Sequence, residues 1–534
     1  MAAAFATDPQ RLGWRQNRWF VWLVSFVVIL APMSLWALAS PLSSVPDEAS
    51  HTYRAAAVVR GQILSEPWKE HPALTRAEIP TNLANAGVLA CFAFDANKSA
   101  ACQHSVRNLS EKTTVTGGSA GLNSPVYYAI VGLPSLVLDG NAAYYSMRLM
   151  NAVLCAFAFA VMFMQLRELG RTRWAMLGAV VGITPMVLYL GGSINPNGVE
   201  VAAAGALLAT LLAMSRGFSA GRRLWEQAGL ALVSASLLMG TRSIALLWVL
   251  IIVVVAIMLG TPGRVRTLLG SVQGLTLLAG ATIAGALSVL WYVLPPDLAG
   301  GAVSNASFLS SLIAGATAFG RSFDYLNGMI GLFGWVDTPA PSVTIAVWVA
   351  AIMVLIVASF IRGSRRTRVA VWGLLFICVI VPVVTETAVY AEFGHIWQGR
   401  YMLAMLLCLL VIAGLSLDDA RVESGRVTVR FISVGLALLA AGHLAAFVTA
   451  LWRYVVGLGA TVDSFLEGGA WEPPLGWKAL AMLYAIVLVV GVLIARRAFV
   501  TPASPAEESG RGAAPNRSVP AAAPIDPESA SSRD

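Results

Sequence analysis

The chain has 534 residues, 57% of them hydrophobic and only 12% charged, and its mean hydropathy is +0.72. A soluble protein carries about 25% charged residues, so the composition excludes an ordinary soluble domain and points to a membrane protein. The formal net charge of +8 does not indicate a nucleic-acid binder, because the arginines cluster between apolar runs where cytoplasmic loops are expected.

A helical span needs roughly 20 apolar residues to cross the hydrocarbon. In chain order such runs fall at 19–39, 142–166, 174–192, 198–215, 226–241, 243–260, 268–294, 341–361, 369–389, 400–417, 430–451 and 478–495, twelve in all. With the N-terminus inside, the basic clusters occupy alternate, cytoplasmic loops. They are Arg11, Arg15 and Arg18; Arg167, Arg171 and Arg173; Arg216, Arg222 and Arg223; Arg264 and Arg266. The series continues with Arg362, Arg365, Arg366 and Arg368; Arg421, Arg426 and Arg430; and Arg496 and Arg497. That agreement satisfies the positive-inside rule and places the protein in the plasma membrane as a multi-pass chain with both termini cytoplasmic.

The same count settles two segments. Ser124–Leu138 is apolar but too short for a comfortable span, and reads as an interfacial or re-entrant helix over 124–138 on the outer side. The run 228–260 is too long for one pass and reads as two short helices meeting at Gly240-Thr241-Arg242. The first span ends in Ala37-Leu38-Ala39, like a signal-peptidase site, but its apolar core is longer than a usual signal peptide's, which favours an uncleaved anchor. The organisation is then a cytoplasmic N-terminus over 1–18, an all-α membrane domain over 19–498, and a cytoplasmic tail over 499–534. The tail is rich in Ala, Pro, Ser and charge, a composition expected to be disordered.

The largest outer loop, 40–122, holds Cys91 and Cys102, and an external compartment permits a bridge between them as an alternative to two free thiols. Cys155, Cys378 and Cys408 lie in spans as small packing residues. A second outer loop, about 295–340, holds Asp297, Arg321, Asp324 and Asp337, and a third runs from Glu386 to Arg400. There is no P-loop, dinucleotide fingerprint or zinc-spaced Cys/His set, so ATP-driven transport has no support within the chain.

Just after the first span the chain reads Val45-Pro46-Asp47-Glu48-Ala49-Ser50-His51-Thr52-Tyr53-Arg54. Proline marks a helix start, and Asp47, His51 and Arg54 are spaced to share one helical face, with Glu48 beside them. An acid pair, a histidine and an arginine at the mouth of a membrane protein suit a phosphorylated substrate. The competing reading is a solvated helix start in which Ser44 and Asp47 form a capping box.

Other polar groups are expected at the same level. Arg148 lies one to two turns into the second span, where an arginine needs a partner, a wet cavity or a route to the interface. Arg242 sits at the junction of two short helices. Gln398, Arg400 and Tyr401 open the tenth span, either as phosphate ligands or as an interfacial anchor. Asn195-Pro196-Asn197 and Glu200 read as turn chemistry.

These residues carry a resemblance. Val45-Pro46-Asp47-Glu48 with His51, Arg54 and Gly61 is similar to the opening motif of the bacterial membrane family called domain of unknown function 2142. So are Cys91 and Cys102 around Phe92-Ala93-Phe94-Asp95, the stretch Asn123-Ser124-Pro125-Val126-Tyr127-Tyr128, Arg148-Leu149 and Gln398-Gly399-Arg400-Tyr401. The similarity runs over about 20–450. That family in turn resembles the GT-C glycosyltransferases, multi-span enzymes that use polyprenyl-phosphate-linked sugars on the outer face and carry an acidic pair in the first outer loop. The resemblance implies Asp47 as catalytic base with Glu48 its neighbour. The chain lacks the soluble C-terminal domain of the larger enzymes of that kind.

The expected activity is inverting transfer of a sugar from a polyprenyl-phosphate donor to a cell-envelope glycan or lipid, the donor phosphate being held by arginines such as Arg148, Arg242 and Arg400, with His51 and Arg54 nearby. A divalent cation (Mg or Mn) at Asp47 and Glu48 is an option that two acids alone do not specify, and no other cofactor is implied. Two readings compete: a flippase or exporter for a lipid-linked sugar or amphipathic metabolite, and a non-catalytic protein of envelope assembly. The halves of the chain show no clear internal repeat, which counts against a transporter.

Overall fold

The structure is a computed structural model that describes residues 17–71, 74–104, 106, 112–170, 172–217, 219–293, 307–422 and 425–500. Asp297, Arg171 and the expected tail beyond residue 500 lie outside the described residues, as does most of the expected cytoplasmic N-terminus.

The architecture is all-α and polytopic. Among the described residues nine helices are long and apolar enough to cross a membrane, and ten if Arg173–Gly182 and Pro185–Gly191, bent by 68°, count as one span. The expected twelve are fewer because of the hairpin after Arg216. Its arms are Gly221–Met239, which begins with Arg222, Arg223 and Glu226, and Ala245–Leu259. The second arm, at 15 residues, is about 22 Å long, short of the roughly 30 Å of hydrocarbon. The arms do part at Gly240–Ile244, as the sequence suggests.

Burial sorts the spans. Pro196–Arg216 and Gly399–Asp419 are 94% and 89% buried and form the centre, whereas Val272–Val293 and Trp477–Ala498 are 6% and 11% buried and lie at the edge. The central helices are apolar all round, as helices enclosed by other helices must be. Small residues bring them close. A side chain at Gly178 would stand 2.1 Å from the Leu410 carbonyl oxygen, so the Arg173–Gly182 helix rests backbone to backbone on Gly399–Asp419.

Several arginines assigned to one side in sequence do gather at one end of the bundle. Arg18 Nη2 lies 2.5 Å from Glu226 Oε2, Arg223 pairs with Glu168, and Arg216 Nη2 lies 2.5 Å from Asp419 Oδ1. The Pro196–Arg216 helix, 21 residues and so about 30 Å long, runs from that end to the opposite one, where the 40–139 segment sits.

That segment folds as a cap. Its helix, Glu48–Val58, packs on a three-stranded antiparallel sheet of Glu66–Pro67, Thr75–Pro80 and Thr113–Gly118, in the register Thr75 to Gly118 through Pro80 to Thr113. Along the middle strand Thr75, Ala77 and Ile79 are buried while Arg76 and Glu78 are exposed, the alternation a one-sided sheet requires. A second small hairpin pairs Leu332–Phe333 with Thr338–Pro339. The expected interfacial helix is two pieces, Pro125–Val131 and a 3-10 turn at Leu133–Leu136. Cys91 and Cys102 form a disulfide.

The cap is fastened by an arginine that the sequence reading did not single out. Arg453, fully buried near the end of Arg426–Val455, donates to the carbonyls of Phe92 (2.8 Å), Asp95 (3.1 Å) and Lys98 (2.6 Å), to Thr338 Oγ1 (3.2 Å) and to Asp337 Oδ2 (3.0 Å). The disulfide loop, the small hairpin and the long helix meet on this one guanidinium. Replacing Arg453 with Met should lower stability by about 3–5 kcal/mol, because Asp337 and three loop carbonyls lose their donor. Thermal denaturation of the detergent-solubilised protein would measure this. Arg76→Gln, which breaks only the exposed pair with Glu66, should change it by less than about 1 kcal/mol.

Candidate active site

The turn from the first span into the Glu48–Val58 helix contains two non-glycine residues with left-handed backbone, Ser43 at φ 58° and Asp47 at φ 67°. Aspartate tolerates this region through its short polar side chain. The conformation turns the Asp47 carboxylate away from the helix it precedes, and it caps no backbone N–H. The capping box with Ser44 does not form. Instead Asp47 Oδ2 accepts from Arg400 Nη2 at 2.7 Å; the carboxylate side chain is 44% exposed and the arginine side chain only 2%.

Glu48 points the opposite way. Its Oε1 and Oε2 accept from Arg148 Nε (2.8 Å) and Nη2 (2.7 Å), and Oε1 accepts also from the backbone N–H of Ile194 (3.1 Å). Arg148 spends its remaining N–H groups on the carbonyls of Ala37 (2.9 Å), Ser40 (2.6 Å) and Pro41 (2.7 Å). Both side chains are 0% exposed. This bidentate pair belongs to the framework, and neither member presents a free group to a substrate.

Arg54 is likewise drawn inward. It donates to Ser65 Oγ (2.9 Å) and to the carbonyls of Ile63 (2.9 Å), Gln62 (3.4 Å) and Asn123 (3.1 Å), under the ring of Trp291. The helical face shared by Asp47, His51 and Arg54 thus divides, with Arg54 shaping the cap.

His51 is buried beside Asp47. Its Nδ1 lies 2.8 Å from Tyr128 Oη, and Asn123 Nδ2 donates to the same oxygen at 2.9 Å. The buried Tyr128 O–H finds His51 Nδ1 as its one acceptor among the described hydrogen bonds, and donating there assigns the imidazole proton to Nε2. Burial, and then the positive charges of Arg400 and Arg242, outweigh Asp47 and lower the His51 pKa to about 4. The ring is neutral at pH 7.

Arg242, in the break of the short-helix hairpin, donates from Nη1 to Asn197 Oδ1 at 2.8 Å and lies 4.0 Å from the centre of the Tyr401 ring. Arg400 lies 5.2 Å from the centre of the same ring, so two guanidinium groups contact Tyr401. Glu200 and Asp47 both act electrostatically on Arg242. Asn195 and Asn197 therefore do more than turn the chain, since Asn195 Nδ2 donates to the Pro46 carbonyl at 3.3 Å and Asn197 aims Arg242. Glu200, one turn on, accepts from Trp248 Nε1 at 2.6 Å.

Arg400 is delivered by a tight reversal. Buried Glu386 accepts the backbone N–H groups of Ile396 (2.9 Å) and Trp397 (2.6 Å) and faces His395 Nδ1 at 2.7 Å, fixing the end of Arg365–Phe393. A side chain at Gly399 would stand 2.2 Å from the Tyr325 carbonyl oxygen, so only glycine allows this approach. Gln398 contributes its carbonyl, which accepts from the Tyr401 N–H at 3.1 Å.

The structure thus brings together Asp47, His51, Arg242, Arg400 and Tyr401, with Tyr128, Asn123 and Asn197 orienting them. It separates off Glu48, Arg148 and Arg54. A cation shared by Asp47 and Glu48 does not fit, because both Glu48 oxygens already accept charged or backbone donors. Among the described residues no group of three or more His, Cys, Asp or Glu side chains could hold a metal ion.

Fold and site define a polytopic all-α membrane protein with a polar cluster where its cap meets the bundle. The family described as "Predicted membrane protein (DUF2142)" matches residues 30–409, more than half of the chain, and the chain belongs to that family. No curated protein matches the sequence. Among solved structures the chain is similar to the crystal structure of ArnT from Cupriavidus metallidurans bound to undecaprenyl phosphate, at 15% identity over 89% of this chain and 76% of that one, with a TM-score of 0.39. A score of that size leaves the chemistry to be argued from this chain's own residues.

The buried neutral histidine has a pH consequence. Its pKa is about 4 folded against 6.5 in an exposed chain, so between those values the unfolded state binds more protons and stability rises with pH. The contribution is complete above about pH 6.5 and is lost as pH falls toward 4, amounting to about 3 kcal/mol. Melting temperatures measured from pH 7 to pH 4 should fall less steeply for His51→Gln than for the parent protein.

Proposed function

We propose that this protein is a membrane glycosyltransferase. It moves a sugar from a polyprenyl-phosphate donor to a cell-envelope glycan or lipid acceptor at the extracytoplasmic face of the plasma membrane. The observation that carries the reading is the half-exposed Asp47 carboxylate held 2.7 Å from buried Arg400, with Arg242 against the same Tyr401 ring. The sidedness rests on the positive-inside pattern, which puts the arginine-rich end of the bundle in the cytoplasm and the cap outside.

The chemistry is a single displacement. The acceptor hydroxyl gives its proton to Asp47 as its oxygen attacks the anomeric carbon, and the bond from that carbon to the phosphate oxygen breaks with its electron pair. The leaving lipid phosphate needs no general acid. It needs positive charge already in place, which Arg400 and Arg242 supply from fixed positions. His51, held as a neutral ring with its proton on Nε2, offers one more donor without adding repulsion between cations. The low exposure of Arg400 strengthens its field, because little water screens it. Membrane embedding serves the donor, whose long tail stays in hydrocarbon while its phosphate and sugar reach the polar end.

Purified protein in lipid nanodiscs, given a labelled polyprenyl-phosphate sugar and envelope acceptors, tests this directly. Asp47→Asn should abolish transfer while leaving donor binding intact. Arg400→Gln should slow transfer roughly 100-fold or more. Undiminished transfer by Asp47→Asn would remove the assignment of the base, and translocation of the lipid in vesicles without transfer of its sugar would replace the enzyme with a flippase.

A further inference from the structure

The arginine-rich end of the bundle, about 30 Å from the candidate active site along the 21-residue Pro196–Arg216 helix, carries a second site of a different kind. Most arginines that face the protein there are neutralised. Arg18, Arg216 and Arg223 pair with Glu226, Asp419 and Glu168, and Arg264 donates to the carbonyls of Met214 (3.2 Å) and Ser219. In a shallow hollow lined by Arg18, Trp19, Arg222, Arg223 and Glu226, each arginine is ion-paired, with Glu226 or Glu168.

The neighbouring groove is not. It has a volume of about 360 Å³ and is walled by Ile257, Met258, Pro262 and Val265, with Arg266 and Arg366 on its rim. Both arginines are exposed, no acid lines the groove, and neither guanidinium makes an ion pair or hydrogen bond within the described residues.

The surrounding elements place this groove at the membrane surface. Pro262–Leu269 buries none of its residues, and it joins the short hairpin arm Ala245–Leu259 to the peripheral span Val272–Val293. Such a connector lies in the interface plane with its apolar side toward lipid. It is pinned there by Arg264 and by the Thr261 N–H, which donates to the Ser215 carbonyl at 3.0 Å. Ile257, at 51% exposure, opens the apolar wall to the bilayer. Arg366 comes from the start of the Arg365–Phe393 helix, so the rim draws its two charges from separate elements.

We propose that this groove binds an anionic phospholipid, with the phosphate between Arg266 and Arg366 and the upper part of an acyl chain along Ile257, Met258 and Val265. Charge complementarity selects the headgroup, because two unpaired cations face no anion of the protein. The apolar walls select a lipid over free phosphate. Nothing in this site depends on the glycosyl-transfer reading.

The test is retention of lipid by the purified protein, measured by native mass spectrometry after reconstitution with phosphatidylglycerol and phosphatidylcholine. The double variant Arg266→Gln, Arg366→Gln should bind phosphatidylglycerol roughly 30-fold more weakly, about fivefold for each arginine, with phosphatidylcholine unaffected. The charge-matched control Arg362→Gln, Arg365→Gln removes two exposed arginines that do not line the groove and should retain the parent affinity. Equal losses in the two double variants would reduce the effect to general surface charge and overturn the proposal, as would displacement of the lipid by millimolar inorganic phosphate.

Discussion

The ion pair between Glu48 and Arg148 is the contact on which the cap-bearing half of this molecule depends. It joins the last turn of the first span, the start of the cap helix, the second span and the bend before Asn195 through one carboxylate and one guanidinium. Removing two charges from water is expensive, and such a pair adds little net stability by itself. Its value lies in geometry. All five N–H groups of Arg148 are used, three of them by carbonyls of the 37–41 turn. With Glu48 held inward and Asp47 in a left-handed conformation, the adjacent carboxylates face in opposite directions. One acid is sealed and its neighbour is turned to where the cap meets the tenth predicted span.

Arg400 depends on a comparable device on the other side of the site. Glu386 closes the reversal that follows the Arg365–Phe393 helix, and Gly399 lets the chain press against Tyr325. Arg242 arrives from an unrelated hairpin, aimed by Asn197. Two guanidinium groups against one tyrosine ring repel each other; Glu200, buried and bonded to Trp248, acts on Arg242, and Asp47 is the carboxylate that is partly exposed. Guanidinium groups fixed in this way would stabilise developing negative charge without reorganisation, which is the physical basis of the proposed role.

Much of this was legible in the sequence. Hydropathy and arginine spacing gave the all-α polytopic class, the paired short helices at Gly240–Arg242 and a large non-spanning segment after the first span. The motif around Pro46–Arg54 pointed to Asp47 and His51, and the tenth predicted span to Arg400 and Tyr401. Direction was not legible. Asp47 and Glu48 are adjacent and chemically alike, and only the backbone at Asp47 and the distant Arg148 separate their roles. Arg54 reads like a ligand until the carbonyls of the 62–65 turn are seen to take it. Glu386 left one signal, an acid at the end of a long apolar helix shortly before a reversal. Arg453 left only a charge near the end of a long apolar helix, because its partners are carbonyls that sequence does not display.

The number of acceptors an arginine meets sorts these residues better than burial does. Arg148 and Arg453 each make five hydrogen bonds and hold elements together. Arg400 is nearly as buried, yet it meets only the Asp47 carboxylate and, at 3.4 Å, the Tyr401 hydroxyl, and its Nε has no acceptor within the protein. A guanidinium withdrawn from water with donors unspent is destabilising unless something outside the protein completes it. The same logic separates Arg264, which is tied to backbone carbonyls, from Arg266 two residues later, which is tied to none. Residual donor capacity, largest at Arg400 and Arg242 and set against Arg148 and Arg453 whose donors are spent, is the physical ground on which an anion site is proposed there.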